Sequence, residues 1–119
     1  MRNFREMTIW NQGVKLAVKV YAVCKQLPKE EVYGLRSQIT RAVVSIPSNI
    51  AEGCSRNSET EFKRFLEIAM GSAFELETQL LISFELGFIS RSSLDEVLPE
   101  IHAEQKQINA LITKIKDNS

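Results

Sequence analysis

The side chains of this chain that could do chemistry are few and poorly spaced for catalysis. His102 is the only histidine, so no two-histidine metal site can form within one chain. Di-iron sites in helical bundles place a glutamate three residues before a histidine; here that position is Pro99. Cys24 and Cys54 lack the C-x-x-C spacing of a zinc site. They read as small buried hydrophobes of a reducing cytosol. A Cys–His nucleophile pair is open only by arithmetic. No phosphate-cradling G-x-x-x-x-G-K-[ST] or G-x-G-x-x-G occurs. Glu75, Glu77 and Glu85 lie in an apolar stretch, where pairing across a helix or subunit interface suits them better than acid–base work. The expectation is a non-enzymatic protein with no catalytic residue, no metal and no cofactor.

The other chemistry on offer is phosphate neutralisation. Arg36, Arg41, Arg56, Lys63 and Arg64 fall on two successive helical stretches and the loop between them. In an antiparallel pair, Arg56, Lys63 and Arg64 gather at one end, with Arg41 and Arg36 progressively further along. Such a patch can bind nucleic acid through its backbone; the plainer alternative is scattered solvated charge. Most aromatic residues fall on apolar faces, so base stacking and sequence-specific readout are not indicated. Lys plus Arg equals Asp plus Glu at 15 each, which argues against a general polyanion binder and permits self-association.

Four amphipathic segments must position these residues. The first is expected from about Thr8 to Leu27, before Pro28. Trp10, Val14, Ala17, Tyr21 and Cys24 form one apolar row, and Leu16, Val20, Val23 and Leu27 form a neighbouring one. The second is expected from about Leu35 to Glu52. Ile39, Val43, Ile46 and Ile50 stack on one face, and Pro47 predicts a bend within it. Ser45, Ser48 and Asn49 can bond backbone groups freed there, and Gly53 is a natural end point. This stretch reads either as a kinked core helix or as a contact surface marked by Asn49 and Glu52.

The third helix, from about Glu59 to Leu86, opens on a capping box of Ser58 and Glu61 and closes at Gly87. Phe62, Leu66, Ala69, Ala73, Leu76 and Leu80 make its main stripe. Phe65, Ile68, Phe74, Leu81, Ile82 and Phe84 lie off it, more apolar surface than one bundle interior can take. Either the N-terminal arm and Phe88 cover it, or it is a subunit interface. Gly71 and Ser72 would let a neighbouring backbone approach. The fourth helix starts at Ser90 or at Ser93. Its stripe is Leu94, Val97 or Leu98, Ile101, Ile108, Leu111 or Ile112, and Ile115, with Pro99 predicting a bend or a restart.

Short connections favour antiparallel neighbours. The fold class is therefore all-α: an up-down-up-down four-helix bundle with a kinked second helix and a long third one. The 119 residues form one domain, residues 1–7 being an extended arm with Phe4 as its anchor. No apolar run approaches the ~20 residues of a membrane span and no signal core is present, so a cytoplasmic, membrane-free protein is expected.

Tyr33-Gly34-Leu35, Gln38-Ile39, Ala42, the run Ser45 to Gly53, and Arg56 resemble the bacterial four helix bundle protein family. The likeness continues through Phe4-Arg5, Trp10, Phe62, Phe65-Leu66, Ala69, Gly71-Ser72 and Glu75 to Leu80. That family is encoded in intervening sequences of large-subunit ribosomal RNA genes and includes the accessory variability determinant proteins. The resemblance implies a homopentameric barrel that binds nucleic acid and associates with a reverse transcriptase. Those accessory proteins are typically basic, a feature with no counterpart in this neutral chain.

The resulting expectation is a homo-oligomer, pentameric by resemblance, that binds RNA or DNA weakly through a basic patch repeated around a ring. The alternative is a protein-interaction scaffold without nucleic acid, its partner a reverse transcriptase or another cytosolic protein.

Overall fold

The computed structural model describes residues 1–118. Its helices are α1 (Thr8–Cys24), α2 (Leu35–Cys54), α3 (Glu59–Glu85) and α4 (Arg91–Asp117), with no strand among the described residues. Backbone contacts join α1 to α2, α2 to α3, α3 to α4 and α4 back to α1, and none joins the diagonal pairs. This is the expected antiparallel four-helix bundle. No described helix is long and apolar enough to cross a membrane.

Several helix ends have a local cause. α1 stops at Cys24 rather than Leu27. The N–H groups of Lys25, Gln26 and Leu27 each bond the carbonyl three residues back, a tightened turn forced by the bias of a residue before proline against the helical region. The Ser58 hydroxyl accepts from the Glu61 N–H and starts α3. Gly87 ends it with φ +79°. The Phe88 N–H bonds the Ser83 carbonyl and the Gly87 N–H bonds that of Phe84, the two bonds of a Schellman motif. Ser90, not Ser93, caps α4.

Three expectations need correction. Gly53 does not end α2, which runs on to Cys54. Glycine is required there for space: a Cβ would stand 2.9 Å from the Phe65 Cβ and 3.1 Å from a ring carbon of Phe62. Pro99 does not restart the fourth helix, which is one element from Arg91 to Asp117. Pro99 sits on its exposed side, where water can satisfy the freed carbonyl. The arm is not wholly extended, because Phe4–Glu6 form a 3₁₀ turn with the Asn3 side chain accepting from the Arg5 N–H. Phe4 does anchor it, with its ring 5.0 Å from that of Trp10.

The core follows the predicted stripes of α2 and α3 throughout. On α1 only the second of the two rows is buried with Ile9, Gly13 and Cys24; Val14 and Tyr21 of the first row stay exposed, as does Val18. On α4 the row is Leu94, Val97, Ile101, Glu104, Ile108, Ile112 and Ile115, so a glutamate fills the gap in its apolar series. Each large apolar side chain so buried contributes about 1.5–3 kcal/mol.

Candidate nucleic-acid and subunit interface

α2 and α3 make the most extensive helix–helix contact of the bundle, and the outer side of that contact is an open groove of about 540 Å³. Gln38, Arg41 and Ser45 border it from α2, and Ser72, Glu75 and Gln79 from α3. At its floor the hydroxyls of Ser45 and Ser72 meet at 2.8 Å. The Asn49 amide donates to both the carbonyl and the hydroxyl of Ser45, each at 2.8 Å. Asn49 therefore braces α2 one turn around Pro47, and Ser45 ties that turn to α3, which supports the core-helix reading of this stretch. Glu52 is engaged within the chain as well, by Arg56.

The five basic residues do not converge equally. Arg41 is exposed and lines the groove, with Glu75 across from it. Arg64 is exposed and Lys63 half-buried at the start of α3. None of these three forms an ion pair among the described residues. Arg36 lies five positions before Arg41, roughly 140° round the helix. Its charge acts on the Cys24 thiol, which places it on the α1 side. Arg56 is committed internally: its Nη2 lies 2.8 Å from Glu52 Oε1, and its guanidinium stacks 4.8 Å from the centre of the Phe65 ring. At this end of the bundle the structure adds a cation that sequence reasoning missed. Arg2 donates its backbone N–H to the Cys54 carbonyl, pairs with Glu59 at 2.6 Å and lies 3.9 Å over the Phe62 ring. Nothing local could have placed it there, since its partners are more than fifty residues away in the chain.

The apolar candidates also divide. Ile68, Phe74, Leu81 and Ile82 are exposed on α3, Phe74 by 55%. Phe74 and Ile82 form the wall of a second groove beside the first, with Gly71 and Thr78; a Cβ on Gly71 would meet nothing within 4 Å. Phe65 and Phe84 are half-buried. Each carries an arginine on its ring, Arg56 and Arg91 respectively, and Phe84 packs on the core. The N-terminal arm lies at the far end, against Trp10 and Cys54, and covers none of the four exposed residues.

Titratable groups elsewhere serve packing. His102 Nε2 lies 3.0 Å from Glu77 Oε2, and Gln105 Nε2 donates to Glu77 Oε1 at 2.8 Å. These bonds hold the Glu77 carboxyl below its usual range, Gln105 having the larger effect, and pin α4 to α3. Cys24 and Cys54 are free and buried. Burial pushes the Cys24 thiol up to about 11 and also raises that of Cys54, so both stay protonated and unreactive at neutral pH. Among the described residues no group of three or more His, Cys, Asp or Glu is placed to hold a metal ion.

A family model described as 23S rRNA-intervening sequence protein matches residues 5–110. Among solved structures, the chain is similar to a protein of unknown function from the S23 ribosomal protein family of Bacteroides thetaiotaomicron. The identity is 24% and the TM-score 0.82, over 88% of this chain and 98% of that one. At that identity the likeness bears on fold alone. No curated protein sequence matches.

Proposed function

Because the chain belongs to the 23S rRNA-intervening sequence protein family, we propose that it is a non-enzymatic, ring-forming oligomer that holds RNA weakly through its phosphates. The observation that carries this reading is a pair of apolar outer faces. One is Ile68, Phe74, Leu81 and Ile82 on α3; the other is Val14, Val18 and Tyr21 on α1. The two helices are diagonal partners with no backbone contact between them, so the faces look away from each other. A head-to-tail contact of the α1 face of one copy with the α3 face of the next covers both, and where the rotation closes it makes a ring. Five subunits is the number drawn from the resemblance to accessory variability determinant proteins.

Arg41, Lys63 and Arg64 supply the phosphate contacts, with Arg36 and Arg56 at the margins. A single copy presents too few unpaired cations for firm binding, but repetition around a ring multiplies weak contacts through high effective concentration. The family's name makes ribosomal RNA the first nucleic acid to try. A second reading, a protein-interaction scaffold that serves a reverse transcriptase or another protein, is favoured by the ion pairs that occupy Arg2 and Arg56 and by the zero net charge. RNA binding measured across a salt series separates the two. Affinity that falls steeply and log-linearly with salt supports phosphate contacts; no binding at low salt rejects the first reading and leaves the second.

A further inference from the structure

The most anomalous side chain lies outside the candidate interface. Glu104 is 1% exposed, and both carboxyl oxygens are buried with no hydrogen-bond partner among the described residues. An unpaired carboxylate in such a place costs several kcal/mol, so the chain must hold it in another form or give it a partner. Its surroundings are built to admit it. A Cβ placed on Gly13 of α1 would stand 3.1 Å from Glu104 Oε2, 3.2 Å from the Pro47 Cβ and 3.3 Å from the Pro47 Cδ. The missing side chain of Gly13 is thus the space into which both the carboxyl and the pyrrolidine ring reach.

Pro47 brings an acceptor to the same place. It has no N–H, so the Val43 carbonyl one turn earlier has no helical donor, and the ring carbon that replaces the N–H abuts that oxygen. Val43 and Pro47 are both buried on the inner face of α2. The Pro47 ring that abuts the Val43 carbonyl also reaches the Gly13 space that the Glu104 carboxyl enters, so a buried carbonyl without a helical donor lies on the α2 side of that space. We propose that Glu104 is carried in the core as the uncharged acid, its O–H donating to the Val43 carbonyl that Pro47 leaves without a helical donor, and that loss of this proton loosens the packing of α1 on α2 and α4.

No charge competes for that role. On α1, Lys15 is exposed and Lys19 is taken by Glu100 at 2.6 Å. On α2, Arg41 faces the outer groove and Glu52 is paired with Arg56. On α3, Glu75 is exposed and Glu77 is held by Gln105 and His102; on α4, Lys106 is exposed. Burial is the one cause that acts on Glu104, and it raises the carboxyl to about 8 from the ordinary 4.5, so the acid is the main form at neutral pH.

The test is carboxyl-carbon NMR on the ¹³C-glutamate-labelled protein from pH 4 to 10, with Glu104→Gln used to assign the resonance. The expected result is a midpoint near 8; titration in the ordinary carboxylate range overturns the uncharged acid. Pro47→Ala gives Val43 back its N–H partner and should lower the midpoint by about one pH unit, the weight of one hydrogen bond. An unchanged midpoint overturns the link to Val43. Hydrogen exchange, corrected for intrinsic rates, tests the loosening without Pro47→Ala. Amides of α1 around Gly13 should lose protection above pH 8 in the wild type and keep it in Glu104→Gln. The same pH dependence in both overturns that part of the proposal.

Discussion

Gly53 of α2 and Phe65 of α3 sit so close that any side chain on Gly53 would come within 2.9 Å of the Phe65 Cβ. The contact lies next to Arg56, which stacks on the same ring. It joins the end of α2 to the start of α3 across a tight loop, and it turns a residue that reads as a helix stop into a packing requirement.

Gly53→Ala should therefore destabilise the subunit despite alanine's better helix propensity. Neither neighbour is a flexible side-chain end: one atom is a Cβ and the next a ring carbon of the fully buried Phe62. The expected loss is about 1–3 kcal/mol, read as a lower midpoint in chemical denaturation. Gly71→Ala is the matched control. Its Cβ meets nothing within 4 Å, so the subunit should gain up to about 1 kcal/mol from propensity.

Assembly is predicted to respond to the outer faces of α3 and α1. Phe74→Glu and Leu81→Glu replace exposed side chains, so helicity should be retained while light scattering reports smaller species. A loss of helicity would place these residues in the subunit core. On the proposed ring, Val18→Glu on α1 should have the same effect, because it lies on the other half of a head-to-tail contact. A stable, well-folded monomer of the unaltered chain at high concentration would remove the ring.

RNA binding, if it runs through phosphates, should depend on the unpaired cations. Arg41→Glu with Arg64→Glu is expected to abolish binding and leave the melting temperature within a degree or two. Arg56→Glu should act differently. It breaks the 2.8 Å pair with Glu52 and the stack on Phe65, so thermal stability should fall along with any binding. Binding that survives the double change shows the patch is elsewhere.

The Glu77 carboxyl makes an acid-side prediction. Its bonds to Gln105 and His102 lower its native value from the ordinary 4.5, so the unfolded chain takes up the proton first as pH falls. The stability it contributes is present above about 4.5 and is lost as pH drops through the lower native value. Gln105→Leu removes the larger cause and should flatten the decline below pH 4.5 in a denaturation series. Glu104 works with the opposite sign. Its native value is raised, so its contribution is complete below 4.5 and lost as pH rises to about 8. Glu104→Gln should flatten that second slope and leave the acid one.

Helix period is a local property, and so are some caps and stops, though Gly53 and the end of α1 were settled by packing and by the turn before Pro28. The stripes of α2 and α3, the Ser58 cap, the Gly87 terminus and the bundle class could all be read from spacing, because steps of three and four put side chains on one face whatever lies opposite. Which of two adjacent faces on α1 turns inward could not be read that way. Val14 is as apolar as Val20, and only the seating of α2 and α4 chose between the rows. The basic patch was legible as composition, but whether an arginine is available depends on partners from distant segments: Glu52 and Phe65 for Arg56, Glu59 and Phe62 for Arg2. Glu104 left a trace, a glutamate where the row of Ile101 and Ile108 calls for a hydrophobe. That it lies buried between a glycine and a proline of two other helices was decided by the tertiary fold, because a buried charge acquires its meaning from what surrounds it in space.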